Sequence, residues 1–245
     1  MKSQKNTKSL ERNHPVTGLF SRKEAALKIS AGARHLHSTL LGSNDACVSV
    51  TNKLLVGPSI SYPWEICSPS EGTLLRKSSE RQEIIAKILA TTSFGKSSQN
   101  RERLKTIAEE LLSNSFYHAY KNESGIDKYQ RQKPVELEQN ETIAVSFAES
   151  SNGIHLVIKD KGGSLTFENF ASSLKRCYSA PHNGHVMEQK SSGAGLGLFL
   201  IFENMTHMSI TVEPLENTTV SCWISNNTSF DPDIFSFNFF ARNQK

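Results

Sequence analysis

Residues 110–120 read Glu110-Leu111-Leu112-Ser113-Asn114-Ser115-Phe116-Tyr117-His118-Ala119-Tyr120, and the spacing of their polar groups decides the fold. Glu110, Asn114 and His118 recur every four residues, which in a helix puts all three on one face. The stretch closes a longer run, Asn100 to Tyr120, in which Leu104, Ile107, Ala108, Leu111, Leu112, Ser115 and Phe116 keep helical spacing. The polar face borders that apolar stripe, so its side chains are expected to be partly buried and to need partners. An Asn oxygen suits a hard cation such as magnesium, which takes oxygen ligands and keeps phosphates and water in its shell. Glu110, one turn away, can accept a proton from an attacking water or hydroxyl. Solvated surface positions are the commoner fate of either residue.

Downstream, two strand-like runs, Thr142 to Phe147 and Ile154 to Ile158, flank Glu149-Ser150-Ser151-Asn152-Gly153 and predict a hairpin. The second run leads into Asp160-Lys161-Gly162-Gly163-Ser164. An Asp there puts a carboxylate at the mouth of a backbone bend, where it can accept a hydrogen bond from an exocyclic amine. The absent Cβ of Gly162 leaves room for a flat ring. A plain Asp-Gly turn is the alternative if nothing else accompanies it. A helix is expected from Phe167 to Cys177, then a loop over residues 179–192. Gly193-Ala194-Gly195-Leu196-Gly197-Leu198 follows, opening a helix through Asn204. Glycines at a helix start let N–H groups approach a phosphate, and the helix dipole favours the anion. The spacing is neither the Walker pattern nor the dinucleotide fingerprint, and a tight packing turn explains it equally well.

Upstream, Ser79 opens a helix with Ile84, Ile85, Ile88 and Leu89 on its apolar face, closed by Phe94-Gly95. Arg22 to Leu41 is read as a helix, with Ala25, Ala26, Ile29, Ala33, Leu36 and Leu40 on one side. His35 and His37 then lie on that helix, as ordinary structural histidines. Met1 to His14 is polar and expected to be disordered, and Tyr62 to Cys67 can form a strand. The end returns to strands at Ser209–Val212 and Thr219–Ile224, with Phe235 to Phe240 as an aromatic edge strand.

The whole chain of 245 residues carries 28 Lys+Arg against 24 Asp+Glu, a formal charge of +4, too little for a polyanion-binding field. No nucleic-acid partner is therefore expected. No apolar run of about 18 residues occurs, which excludes a membrane-spanning helix. Met1 to Phe20 lacks the apolar stretch of a secretory signal, and Cys47, Cys67, Cys177 and Cys222 form no Cys-x-x-Cys pair. A cytoplasmic protein with free thiols is the expectation.

Taken together and in this order, the three motifs resemble the GHKL superfamily, the ATP-binding domains of gyrase, heat-shock chaperones and histidine kinases. Residues 110–120 are similar to its N box, in the Glu-x-x-x-Asn-(Ala/Ser)-x-x-His-(Gly/Ala)-Tyr form of anti-sigma factors of the serine-kinase type. Val157 to Gly162 resembles the G1 box, Gly193 to Leu198 the G2 box, and Asn217-Thr218-Thr219-Val220 the final Thr-bearing turn. The resemblance implies an α/β fold, a two-layer sandwich of a mixed sheet with helices on one face. It implies an ATP-binding domain at residues 61–226, between a polar extension over 1–60 and a tail over 227–245.

Residue by residue, the resemblance implies that Asp160 binds the adenine amine beside Gly162, and that Asn114 holds a magnesium ion bridging the phosphates. Glu110 would be the base, with His118 a packing or phosphate neighbour on the same face. Gly193, Gly195, Leu196 and Gly197 would face the phosphates under a lid at 178–192, and Thr218 or Thr219 would lie under the adenine. Ser164 stands where the usual Asp-x-Gly-x-Gly pattern has its second glycine. The implied function is Mg-ATP binding with a regulatory protein partner of the sigma-factor or anti-sigma-antagonist type, with phosphorylation of a Ser on that antagonist; a homodimer is admitted. Two rivals stand beside it: a nucleotide-sensing module without chemistry, and a stand-alone histidine-kinase catalytic domain acting on a separate His-bearing protein.

Overall fold

The computed structural model describes residues 15–38, 72–151, 153–179, 196–226 and 231–241. The expected disorder of residues 1–14, the strand at 62–67, Gly193, Gly195 and nearly all of the expected lid lie outside the described residues. Eight strands form one mixed sheet: β1 (Val16–Gly18), β2 (His35–Ser38), β3 (Thr73–Leu75), β4 (Ile143–Ser150), β5 (Gly153–Asp160), β6 (His207–Glu213), β7 (Asn217–Ser225) and β8 (Ser236–Ala241). Their order across the sheet is β1-β2-β8-β6-β7-β5-β4-β3. The β1/β2 and β6/β8 pairs are parallel and the rest antiparallel. Among the described residues, five α-helices accompany them: α1 (Arg22–Ser30), α2 (Glu80–Thr91), α3 (Ser98–Tyr117), α4 (Phe167–Ser179) and α5 (Leu196–Asn204). The architecture is the expected two-layer α/β sandwich.

Alternation along the strands sorts their side chains onto two faces. Ile154, Leu156 and Ile158 of β5 share a face with Met208, Ile210 and Val212 of β6, Cys222 and Ile224 of β7, and Phe237 and Phe239 of β8, all buried. The helices cover this face. Phe170 of α4 stacks on Phe237 at 4.9 Å between centroids and 5° between planes, and Phe202 of α5 meets Phe237 edge-on at 6.2 Å. The other face carries buried polar groups: His35 bonds Asn238 at 3.0 Å, His155 bonds Ser221 at 2.6 Å, and His207 bonds Ser236. Burial drives the His155 imidazole down to about 3, so it stays neutral.

Helices α2 and α3 form where the periodicity places them. Ile84, Ile85, Ile88 and Leu89 are buried on α2, and the full stripe from Leu104 to Phe116 is buried on α3. Both end earlier than expected, α3 at Tyr117 and not Tyr120, so that His118 is its C-cap. Helix α2 stops at Thr91 and a 3-10 turn, Ser93–Lys96, follows it. Helix α1 opens on a capping box, in which Ser21 and Glu24 bond each other's backbone N–H groups.

Two expectations are corrected. The helix expected over Arg22 to Leu41 ends at Ser30, because Gly32 takes φ +106°, a left-handed turn that only glycine adopts freely. His35–Ser38 then becomes β2, so His35 and His37 sit on a strand and not on a helix. The aromatic segment is a strand, but not an edge: β8 lies between β2 and β6, bonded on both sides. Both changes share one cause, since β1 and β2 cover the flank that β8 would otherwise have exposed.

Candidate functional site

The site forms where α3 ends, β5 ends and α5 begins. Asp160 closes β5, opposite Ile143 of β4 and Thr218 of β7. Directly opposed residues of paired strands point to the same face, so Asp160 and Thr218 are side-by-side there, and both are buried. Thr219 pairs with Lys159 and points to the opposite face. The Thr-bearing segment is thus the start of β7, and the turn itself lies one step earlier, at Pro214–Glu216.

Asp160 is only 5% exposed, and burial pushes its carboxyl up to about 6 despite the donors that face it. Gly162 N–H donates to Oδ1 at 3.0 Å and Ser115 Oγ to Oδ2 at 3.3 Å; the N–H groups of Gly163 and Thr218 also favour the charge. Ser115 was expected only as part of the apolar stripe of α3. A hydroxyl on an otherwise apolar stripe was the available signal that this helix touches a polar group.

The turn after Asp160 is held from two sides. A Cβ at Gly162 would collide with the Ala119 carbonyl, so the missing side chain lets the turn press on the end of α3. Gly163 takes φ +57°, and a Cβ there would stand 2.5 Å from the Glu213 carbonyl oxygen and 2.7 Å from Leu215 N. Ser164, the departure from the usual glycine, donates its hydroxyl to His118 O at 3.1 Å. The turn forms with this residue because the side chain finds a carbonyl to bond. Tyr120 OH donates to Thr142 O at 2.9 Å and accepts from Lys161 N–H at 3.4 Å, fixing the same corner.

On α3, Glu110 and Asn114 face the start of α5. A Cβ at Gly197 would overlap Glu110 Oε2, and would lie 3.2 Å from Glu110 Cδ and 3.7 Å from Asn114 Oδ1. The N-box-like and G2-box-like segments therefore meet at Gly197. Leu196 beside it is 37% exposed. One turn on, His118 Nδ1 donates to Asp127 Oδ2 at 2.8 Å, and Lys121 bonds the other carboxylate oxygen. Burial opposes the charge of Asp127, but the bonds from Lys121 and His118 hold its carboxyl below the ordinary range. Asp127 was not foreseen, lying in a connection without periodicity.

Asn114 Nδ2 and His118 Nε2 are both buried with no hydrogen-bond partner among the described residues. Two unsatisfied polar atoms one turn apart, beside a helix start stripped of its Cβ, are what a polar ligand would complete. Asn114 Oδ1 is a neutral oxygen of the kind a magnesium ion takes, and the N–H groups opening α5 suit phosphates. The residues present fit Mg-ATP.

Residues 76–223, more than half of the chain, match the histidine kinase-like ATPase domain. The chain belongs to the histidine kinase-like ATPase family. The match spans α2 to β7 and contains all three motifs. No curated protein matches the chain. The histidine kinase-like ATPase fold accounts for the mixed sheet and for the meeting of α3, β5 and α5, and it makes this an ATP-binding domain of the kinase-like ATPase type. Among the described residues no helix is long and apolar enough to cross a membrane.

Proposed function

We propose that the chain is an ATP-dependent regulator of the anti-sigma serine-kinase kind, which binds Mg-ATP and a protein antagonist and phosphorylates a Ser on that antagonist. The observation that supports it is the approach of Glu110 and Asn114 to Gly197 at the start of α5. In this reading the base, the metal ligand and the phosphate-facing helix end converge within one helical turn. Asp160 receives the adenine amine, and Thr218, on the same face and directly opposite, is the threonine under the ring; Thr219 points away. Gly162 acts by orienting Asp160 through its N–H and by closing the turn on Ala119. A phosphate role for Gly193 and Gly195, outside the described residues, rests on the resemblance of the motif alone.

Asn114 would hold the magnesium ion, which when bound neutralises charge on the phosphates. Glu110 accepts the proton of the antagonist's Ser hydroxyl as that oxygen bonds the γ-phosphorus; the bond to the β,γ-bridging oxygen breaks and ADP leaves. His118, held by Asp127 through Nδ1, is a packing or phosphate neighbour at the end of α3.

Calorimetry with and without magnesium, followed by incubation with radiolabelled ATP and candidate antagonists, tests the reading. Magnesium-dependent binding and acid-stable phosphoserine that disappears in Glu110→Gln support it. Binding without turnover leaves a nucleotide-sensing module in its place, and an acid-labile product points to a histidine-kinase catalytic domain.

A further inference from the structure

Helix α5 has a second set of contacts, at the end remote from Gly197. Its last carbonyls are received by two guanidinium groups from different parts of the chain. Arg22, the first residue of α1, donates from Nη1 to Phe202 O at 2.7 Å and from Nη2 to Met205 O at 2.6 Å. Its Nε reaches Pro232 O. Arg103 of α3 donates from Nη2 and Nε to Asn204 O at 2.9 and 3.2 Å. Both arginines are 4% exposed. Arg22 also lies over Phe235, 4.2 Å from the ring centroid, and over Phe202 at 5.4 Å. Next to these contacts, Glu203 accepts the hydroxyl of Tyr178.

A helix C-terminus leaves several carbonyls without intrahelical partners and carries partial negative charge. Two buried guanidinium groups there answer both needs at the end of this nine-residue helix. The helix is a stiff rod of about 13 Å at 1.5 Å per residue. Whatever fixes its last turn therefore fixes how closely its first turn stands against Glu110 and Asn114. Arg103 belongs to the matched ATPase domain; Arg22 lies outside it, in a segment joined to the sheet through β1 and β2.

We infer that Arg22 is a positioning residue for the phosphate-binding end of α5, so that residues 15–38 and the phosphates of a bound nucleotide affect one another through this helix. The inference rests on the reading of the α5 start as a phosphate site. Coupling of this kind is reciprocal: what Arg22 does for ATP, ATP does for the Arg22 contacts.

The first measurement uses the wild-type full chain. Hydrogen exchange followed by mass spectrometry is compared with no ligand, with adenosine, and with Mg-ATP. The expected result is slower exchange in residues 22–30 with Mg-ATP and no such change with adenosine. Protection around β5 with Mg-ATP while residues 22–30 stay unchanged overturns the inference and leaves the site reading standing. Absence of any Mg-ATP response removes the phosphate reading and the inference with it. The second measurement is calorimetry on Arg22→Met and Arg22→Lys. Arg22→Met should bind Mg-ATP about tenfold more weakly with unchanged adenosine affinity, and Arg22→Lys should fall between. Equal loss for both ligands, or none for either, overturns it.

Discussion

Glu110 and Gly197 touch across the interface of α3 and α5, the glutamate carboxylate occupying the place where a β-carbon of residue 197 would be. The contact joins two motifs that are about 90 residues apart in sequence. A β-carbon at residue 197 would displace that carboxylate, so the glycine of the third motif lets the glutamate of the first sit where it does.

Gly197→Ala is therefore expected to move Glu110, or to push the start of α5 away from α3. In the proposed roles, either shift misplaces the base or a phosphate-facing N–H by about an ångström, which costs on the order of 100-fold in activity. ATP affinity should fall at least tenfold while the circular-dichroism spectrum and melting temperature stay near wild type, since alanine favours the helix. Wild-type ATP affinity in Gly197→Ala would show that the contact does not matter to the site.

Asp160 makes a prediction about pH. Its carboxyl sits near 6 in the folded protein against an ordinary 3.8. A carboxyl raised in the folded state contributes stability that is fully present below pH 4 and is lost as pH rises through 6. The loss amounts to roughly 3 kcal/mol at about 1.4 kcal/mol per unit. Asp160→Asn keeps an oxygen for Gly162 and places its amide toward Ser115, whose hydroxyl can accept. Denaturant unfolding at a series of pH values should show wild type losing stability relative to the Asn variant between pH 4 and 6. A constant difference across that range would contradict the assignment. In the proposed role the adenine amine needs the ionised carboxylate, so adenine-nucleotide affinity should also fall as the pH is lowered below about 6, and be lost in Asp160→Asn.

Much of this was legible because one-sided burial writes a period into the sequence. The stripes of α2 and α3 and the hairpin of β4 and β5 are of that kind, and Glu110 and Asn114 could be placed on one face from spacing alone, whereas His118 is the C-cap of α3. Strand β2 could not be read so, because His35, Leu36, His37 and Ser38 are all buried and only one of them is apolar. Phe237 and Phe239 alternate as a strand should, yet their interior place depends on β2, so missing one misplaced the other. Arg22, Arg103 and Asp127 left no trace, since a charged residue does not announce which carbonyl or imidazole it will meet in space. Thr218 and Thr219 stayed equivalent until the register with Asp160 separated them.

Ser164 shows how the departure from the glycine pattern is tolerated. Its hydroxyl bonds the His118 carbonyl at the end of α3. Removing the bond in Ser164→Ala should lower stability by about 1 kcal/mol, the usual net worth of one hydrogen bond. Ser164→Gly should lose slightly more, because the unfolded chain gains freedom. Urea unfolding of both variants checks the order; a more stable glycine variant would mean that the serine is a strained substitute.

The interior position of β8 gives the last prediction. Phe237 is fully buried, stacked on Phe170 and edge-on to Phe202, whereas Phe240 lies on the opposite face and is partly exposed. Truncating a buried phenylalanine costs about 3–5 kcal/mol, through lost transfer energy and the cavity left behind. Phe237→Ala should therefore destabilise the whole domain, including the matched residues 76–223, by that amount, and Phe240→Ala by clearly less. If β8 were a dispensable edge strand, the two substitutions would be alike and the ATP site would be indifferent to both. Thermal unfolding in the presence and absence of Mg-ATP distinguishes these cases, because a ligand that binds only the folded state raises the midpoint wherever its site is still formed. The expected outcome is a single cooperative transition in each protein, lowered in Phe237→Ala and raised again by nucleotide, since Phe170, Phe202 and Phe237 belong to the same core that carries α5.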